Sequence, residues 1–136
     1  MTFRYAARYA AGLAVALGSF GAVPALAEGD PDAGARVFRQ CQACHVADAE
    51  QNKVGPHLVK IINRPASNVE GFNYSPASHE AGDNGLVWTE DNLKEYLENP
   101  RTFMQGTRMA FAGLRSPEQI ADVIAYLKEN AGVWDQ

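Results

Sequence analysis

Cysteine is scarce in this sequence, with two in 136 residues, and histidine and methionine number only three each. A zinc site needs four ligands, and no third cysteine is present to help complete one. Alternating polar and apolar residues are missing over any useful length, and no internal repeat is found. Paired carboxylates on one helix face, a Ser/His/Asp set and a phosphate-binding loop are also absent. The sequence therefore favours an all-α protein with no recognisable enzymatic constellation of its own.

No apolar run is clearly long enough for a membrane span of roughly 20 residues. The longest, over about 10–23, is interrupted by three glycines and followed by Pro24. Arg4 and Arg8 precede this run, and Ala25-Leu26-Ala27 follows it, which is the order of a secretory signal peptide with its cleavage site. We expect a signal peptide over 1–27 rather than a membrane anchor, and one small domain over 28–136.

Positive charge is in deficit, since 12 Lys and Arg face 16 Asp and Glu and the formal net charge is −4. Loss of Arg4 and Arg8 with the signal peptide would make the protein more acidic still. Such a charge balance argues against binding to nucleic acid or to anionic membranes. Two cysteines in an exported protein would ordinarily predict a disulfide, but here their spacing indicates another use.

Cys41-Gln42-Ala43-Cys44-His45 is typical of a c-type haem attachment site. Two thiols one helical turn apart can each add to a vinyl group on one edge of a porphyrin. The next residue then lies under the iron, where an imidazole is a good ligand. The alternatives are a redox dithiol, a zinc half-site or a chance pentapeptide. Because a redox dithiol needs no following histidine and expects a βαβ setting, we favour one covalently bound haem c.

Capping residues predict three helices, which begin after Asp30, Thr89 and Ser116. The first is expected to run into Cys41, the second to stop at the Asn-Pro pair 99–100, and the third to end before Gly132. One more turn is expected over 101–105, with loops over 70–76 and 106–111. Long loops are unusual in a small domain, and a haem for them to pack against explains them.

The sequence from Gly34 to Gly132 resembles the class I cytochrome c family, in its bacterial periplasmic and mitochondrial forms. The matching motifs, besides the CxxCH pentapeptide, are Gly34 and Phe38, Val54-Gly55-Pro56, Gly71-Phe72-x-Tyr74-Ser75, Trp88, Leu93-x-x-Tyr96-Leu97-x-Asn99-Pro100, Gly106-Thr107-x-Met109-x-Phe111-Ala112-Gly113 and Ile124-Ala125-Tyr126-Leu127. The resemblance implies the all-α cytochrome c fold, with about four to five helices and long loops around one haem. It also implies that the first and last helices cross near Gly34 and Tyr126.

The resemblance assigns roles to individual residues. Cys41 and Cys44 match the thioether cysteines, and His45 and Met109 match the two axial ligands of the iron. The carbonyl of Pro56 is expected to accept a hydrogen bond from the His45 ring and so to fix its orientation. The side chains that match holders of a haem propionate are Arg64, Tyr74 and Trp88. Tyr96 and Thr107 match neighbours of the methionine ligand, and Phe111 matches a residue near the haem edge.

Some positions compete with these assignments or depart from the family. Met104 is the alternative sixth ligand, and His57 and His79 are weaker candidates, but only Met109 stands in the Gly-Thr-x-Met-x-Phe setting. Ser78 stands where many relatives have asparagine, and 79–84 looks a few residues longer than in mitochondrial forms. The lysines around the haem edge of mitochondrial forms are thinned out. Basic residues that remain there, and are expected to dock a partner, are Lys53, Arg101, Arg108 and Arg115.

Histidine and methionine together leave the iron no free position, and the methionine raises the reduction potential. The resemblance therefore implies a monomeric periplasmic carrier of single electrons rather than an enzyme. Its expected donor is a redox protein such as a quinol–cytochrome c reductase, and its acceptor a terminal oxidase, a reductase or a photosynthetic reaction centre. The alternative is a haem-based peroxidase or gas-binding protein with a labile Met109. A third hypothesis is a module bound to a larger redox enzyme.

Overall fold

The computed structural model describes residues 28–135, and the expected signal peptide over 1–27 lies outside the described residues. The five helices of this part are α1 Pro31–Phe38, α2 Pro76–Asp83, α3 Glu90–Glu98, α4 Pro100–Phe103 and α5 Pro117–Asn130. Between residues 28 and 135 the only β-structure is two isolated bridges, Ile62 with Val133 and Pro65 with Val87. None of these helices combines the length and the apolar character that crossing a membrane requires. The expected all-α class is confirmed.

One local signal begins four of the five helices. Proline occupies an N-terminal helical position in α1, α2, α4 and α5, where its missing N–H costs no hydrogen bond. A polar side chain just before it accepts a backbone N–H of the first turn, as Ser75 does for Ser78 and Ser116 for Gln119. The helix α2 was not predicted, although Ser75-Pro76 carries the same signal as the predicted start of α5.

The first helix ends earlier than expected. It stops at Phe38, so the prediction that it would run into Cys41 is wrong. Beyond Phe38 the chain continues in tight turns, in which the Cys41 N–H donates to the Phe38 carbonyl at 2.8 Å and the Cys44 N–H to the Cys41 carbonyl at 3.0 Å. These bonds join residues three apart, and they alternate with bonds between residues four apart, from Gln42 to Phe38 at 3.2 Å and from His45 to Cys41 at 2.9 Å, so the chain forms irregular helical turns. The haem-attachment motif therefore lies in these turns.

The first and last helices cross where the family resemblance places the crossing. A Cβ atom added to Gly34 would lie 2.7 Å from the Tyr126 Cβ, so only glycine allows this approach. The Phe38 and Tyr126 rings pack with their centroids 5.0 Å apart. The largely buried Asp122 carboxylate of α5 accepts the Asp30 N–H, 2.8 Å away, at the start of α1. This crossing anchors the core, whose buried members include Ile62, Leu93, Ile120, Val123, Ile124 and Leu127.

The chain that follows α5 turns back onto the loop between residues 57 and 65. Gly132 makes the turn with a φ of 87°, a conformation that glycine adopts at little cost. Residues 131–135, which we call the strap, then run beside this loop, and Val133 forms the parallel bridge with Ile62. The loop itself contains two non-glycine residues with positive φ, Lys60 at 55° and Asn63 at 64°.

Candidate functional site

A cavity of about 520 Å³ opens between α1, α2, α3 and α5 and the loops that join them. Its size falls within the range of pockets that hold small organic cofactors. All eleven residues that the sequence assigned to haem binding line this one cavity: Cys41, Cys44, His45, Pro56, Arg64, Tyr74, Trp88, Tyr96, Thr107, Met109 and Phe111. The competing Met104 lines it too, whereas His57 and His79 are not among its lining residues.

The His45 imidazole is held from two sides. Its Nδ1 lies 2.7 Å from the Pro56 carbonyl oxygen. Because a carbonyl only accepts, Nδ1 carries the proton, and Nε2 is left with a free lone pair. A Cβ atom on Gly55 would lie 2.7 Å from Nδ1, so the ring fills the space above a glycine. Burial, and to a smaller extent the positive charge of Arg64, lower the pKa of His45, which favours the neutral form that binds a metal.

Cys41 and Cys44 form no disulfide with each other, are partly exposed, and both line the cavity. Burial and the neighbouring Cys44 raise the pKa of Cys41. No group of three His, Cys, Asp or Glu between residues 28 and 135 is arranged to hold a metal ion. The same part of the chain has no βαβ unit. The zinc half-site and the thioredoxin-like dithiol therefore find no support in the structure.

The predicted distal side is built around Tyr96, whose hydroxyl oxygen lies 3.2 Å from the Thr107 Oγ1 and 3.8 Å from the Met109 Sδ. The same Thr107 hydroxyl accepts the Met109 N–H at 3.3 Å. Burial raises the pKa of Tyr96, so the phenol keeps its proton at neutral pH. Hydroxyl groups therefore fix both the backbone and the sulfur position of Met109.

A second hydroxyl cluster surrounds Met104. The Ser78 Oγ donates to the Met104 Sδ at 3.4 Å, and the Ser75 and Ser78 hydroxyl oxygens are 2.8 Å apart. Ser75 is 3% exposed and lines the cavity, a position that the sequence interpretation missed. Its sequence signals are its place in the Gly71-Phe72-x-Tyr74-Ser75 motif, for which no role was assigned, and its position as the cap of α2. The neighbouring Ser67, which also lines the cavity, donates to the Ser78 carbonyl at 2.6 Å.

Arg64 is a buried cation that pairs with no carboxylate among residues 28–135. It is 3% exposed, and its Nη1 and Nη2 donate to the carbonyls of Val59 at 2.7 Å and His57 at 3.1 Å. Its Nε is buried and has no hydrogen-bond partner in the described part of the chain. A buried charge and an unpaired N–H beside a cavity are costly unless a ligand satisfies them.

Tyr74 lies on the wall of the same cavity. Its hydroxyl accepts the Val69 N–H at 3.3 Å and keeps its own proton for another acceptor. The unpaired Nε of Arg64 and this proton suit an anionic oxygen ligand, and the apolar walls suit a large flat ring. The residues present therefore fit a haem with its propionates near Arg64.

The four predicted docking residues are all exposed. Lys53 donates through its Nζ to the Gln42 carbonyl at 2.8 Å, and its neighbour Val54 is 81% exposed while lining the cavity. Arg108 also lines the cavity, and its Nη1 reaches the Asn73 and Tyr74 carbonyls at 3.4 and 3.5 Å. Arg101 and Arg115 are not among the lining residues.

Comparison with known proteins gives concordant results. The family model described as Cytochrome c matches residues 31–131. Cytochrome c2 of Afifella marina is 50% identical over 97 residues, which are 71% of this chain and 78% of that protein. Cytochrome c-550 of Ancylobacter novellus is 48% identical over 99 residues, or 72% of this chain and 92% of that one. The solved structure of cytochrome c2 from Rhodospirillum Centenum superposes with a TM-score of 0.70 at 39% identity, covering 76% of this chain and 99% of that one.

Proposed function

Because the chain belongs to the cytochrome c family, we propose that it shuttles single electrons in the periplasm through a haem whose iron is held by His45 and Met109. Family membership, with the two cysteines in CxxCH spacing, gives it one covalently bound haem c and makes it an electron-transfer protein rather than an enzyme. The bound haem supplies a one-electron iron couple. The observation that carries the proposal is that the proposed attachment, ligand and propionate residues line one cavity.

The proximal side of this proposal rests on His45. The Pro56 carbonyl holds the Nδ1 proton, so the other nitrogen is free to bind a metal. A hydrogen bond of this kind fixes the ring and raises the basicity of the ligand nitrogen. Cys41 and Cys44 line the same cavity as His45, where each thiol would add to one vinyl group. We assign both cysteines to covalent attachment and His45 to axial ligation.

Both methionines of the cavity accept a hydroxyl hydrogen bond through sulfur, so the choice between them rests on the Gly-Thr-x-Met-x-Phe setting of Met109 and on the deeper burial of Met104. The Met109 sulfur faces the Tyr96 hydroxyl, and its backbone is tied to Thr107. The Met104 sulfur is engaged by Ser78, and its residue is 6% exposed. Met109 also follows the loop in which Gly106 has a φ of 90°. We assign axial ligation to Met109 and packing to Met104, which suits a flexible core side chain.

The remaining cavity residues would orient the haem and exclude water. Arg64 and Tyr74 offer N–H and O–H donors for a propionate, with Trp88 beside them in the wall. Trp88 and Tyr96 pack with centroids 4.8 Å apart, and Phe111 completes the apolar lining. A haem held here would have apolar walls, with His45 and Met109 as its iron ligands, and it would supply the one-electron chemistry of a carrier.

Ligation can be tested on the purified holoprotein by its ferric near-infrared absorption. We expect the band of methionine-to-iron ligation in the unmodified protein and its loss in Met109→Ala, with a lower reduction potential. Met104→Leu is the matched control, because it removes the other cavity thioether, and it should retain the band. A high-spin ferric spectrum in the unmodified protein would instead support the peroxidase or gas-binding alternative. If the band is lost in Met104→Leu and kept in Met109→Ala, then Met104 is the axial ligand and Met109 the packing residue.

We further propose that residues 1–27 are a cleaved signal peptide and that 28–136 form the cytochrome domain in the periplasm. The charged start, the apolar run and the Ala-x-Ala site support this, and the family match begins only at residue 31. Intact-mass spectrometry of protein from the periplasmic fraction should show Glu28 as the first residue, with one haem added. A mass that includes Met1 would contradict export with cleavage.

Redox proteins are the partners of such a carrier. We propose a quinol–cytochrome c reductase or similar donor, an oxidase, reductase or reaction centre as acceptor, and a monomeric carrier between them. Lys53, Arg101, Arg108 and Arg115 would face these partners around the exposed edge of the cavity. The relatives named cytochrome c2 and cytochrome c-550 are carriers of this type. The salt dependence of electron transfer to the native partner tests this docking surface.

A further inference from the structure

We propose that the strap, residues 131–135, positions Arg64 in the haem cavity and thereby raises the reduction potential of the protein. The inference rests on the proposed function, because it concerns the same haem. None of the strap residues lines the cavity. Any influence of the strap on the haem must therefore act through the residues that it holds.

The strap is tied to the 57–65 loop by backbone hydrogen bonds. The Lys60 N–H donates to the Ala131 carbonyl at 2.6 Å, and the Trp134 N–H donates to the Ile62 carbonyl at 2.7 Å. Ile62, which is 1% exposed, forms the parallel bridge with Val133. These contacts lie on both sides of residue 61, so the strap fixes the middle of the loop against α5.

Backbone strain at Lys60 indicates that the strap imposes the loop conformation. Lys60 has a φ of 55°, a left-handed conformation that a residue with a Cβ adopts only when its surroundings enforce it. Its N–H is bound to the strap, and its Nζ pairs with the Asp135 carboxylate at 2.5 Å. Without these contacts we expect Lys60 to relax to negative φ, which would redirect the chain on either side of it.

The same stretch of chain holds Arg64. The guanidinium donates to the carbonyls of His57 and Val59, and the second of these immediately precedes Lys60. The Arg64 N–H donates to the Ile61 carbonyl at 3.1 Å. Relaxation at Lys60 would therefore move an acceptor of the buried guanidinium and loosen its position beside the cavity.

A buried positive charge near the haem disfavours the oxidised state, which carries one more positive charge than the reduced state. The buried Arg64 lines the same cavity as His45, so its charge lies close to the proposed proximal ligand. If the guanidinium becomes mobile and hydrated, this influence weakens, because water screens the charge. We therefore expect the reduction potential to fall when the strap is released.

The experiment compares Trp134→Pro with Trp134→Ala in the full-length holoprotein. Proline removes the N–H that donates to Ile62, whereas alanine keeps it and removes only the side chain. We expect Trp134→Pro to shift the one-electron equilibrium toward the ferric form by about threefold to tenfold, tenfold being about 59 mV, with a clearly smaller shift for alanine. Spectroelectrochemical titration measures this shift. The second variant lacks all residues after Gly132. It should show the same shift in potential, and it replaces Trp134→Pro if the proline prevents formation of the holoprotein.

Two further measurements separate positioning from a general loss of stability. In an Arg64→Gln background Trp134→Pro should leave the potential unchanged, because the charge that the strap positions is gone. The double variant Lys60→Gly, Trp134→Pro should recover part of the lost potential, because glycine keeps the left-handed φ without the strap.

An unchanged potential in both Trp134→Pro and the truncation would overturn the inference, and so would an equal shift with Arg64→Gln. The near-infrared ligation band should persist in every strap variant. A missing band in the unmodified protein would contradict His/Met ligation instead, so the two failures are distinguishable.

Discussion

At the scale of single residues, the site depends on one position where no side chain fits. Gly55 lies against the His45 ring, and an added Cβ atom would lie 2.7 Å from Nδ1 and 2.8 Å from Nε2. The ring is also bound to the Pro56 carbonyl, so it cannot move aside without lengthening that hydrogen bond. Glycine is required here for space, since Gly55 is not among the glycines with positive φ.

Gly55→Ala is therefore expected to displace the His45 imidazole. Overpacking of this kind destabilises a protein by about 1–3 kcal/mol, and we expect a comparable loss together with a changed haem absorption spectrum. Chemical unfolding of the holoprotein and its visible spectrum give the two measurements.

Gly85→Ala is the control for this variant. Gly85 has a φ of 83°, and no described atom lies within 4 Å of an added Cβ. The alanine variant therefore strains the backbone without touching the site. It should lose stability and keep the spectrum. Equal spectra for the unmodified protein and Gly55→Ala would show that the ring tolerates the methyl group.

At the scale of secondary-structure elements, the helices divide into two kinds. The crossing helices α1 and α5 have apolar faces that meet through Gly34 and Phe38, and their existence could be predicted from spacing and caps. The helix α2 has no buried residue and therefore no apolar stripe to reveal it. It is held by its cap and by Ser67, whose hydroxyl donates to the Ser78 carbonyl.

The turns and the strap are elements of another type, because their conformation depends on residues distant in sequence. The chain after α1 tightens where the haem-attachment cysteines stand, although its composition would allow the helix to continue. The loop that holds Arg64 adopts positive φ at Lys60 and Asn63, and no local signal favours this at a lysine. The strap supplies the missing cause at Lys60, and the Trp88 carbonyl accepts the Asn63 N–H at 2.9 Å.

At the scale of the whole molecule, charge and surface shape decide how a partner would approach. The protein is acidic, with a formal net charge of −4, yet four exposed basic residues are proposed to lie around the haem edge. The apolar Val54 is 81% exposed beside Lys53, so a patch with both apolar and basic character borders the cavity. Opposed charges across one molecule create a dipole that orients a charged partner during encounter.

This surface predicts a rate of reaction with the native partner that falls as salt rises, because exposed charges are screened beyond about 8 Å at physiological ionic strength. Arg101→Glu with Arg115→Glu should slow the reaction by roughly tenfold at low salt and leave the haem spectrum unchanged. Arg108 is left intact in this test, since its contacts with the Asn73 and Tyr74 carbonyls give it a structural role as well. Stopped-flow oxidation at several salt concentrations makes the measurement.

The control reverses the same amount of charge elsewhere. Lys94 and Lys128 are exposed and pair with Asp91 and Glu90 on the surface of α3. Their joint change to glutamate should alter the rate much less than the change at 101 and 115. A rate that is independent of salt, or one that responds equally to both double variants, would place docking on another face or on apolar contact alone.

The sequence by itself determined the fold class, the haem-attachment motif and the starts of α1, α3 and α5. These features depend on local rules, in which a capping side chain, a proline or a fixed spacing acts within a few residues. The family resemblance then supplied the other eight haem-binding residues, and all eleven line one cavity in the structure. Their roles as ligands and haem contacts stay predictions until the holoprotein is measured.

Only the tertiary structure decided how those residues are held. Ser78 engages the Met104 sulfur across 26 positions of the chain, His45 fits over Gly55 from another turn, and the unpaired Nε of Arg64 is evident only once the cavity has formed. The strap shows the reason most clearly. The left-handed Lys60 is unfavourable locally and is retained because residues 131–135, about seventy positions further on, bind it through backbone and side chain. Local rules carry no information about such a contact, since it exists only once the chain beyond α5 has turned back onto the 57–65 loop.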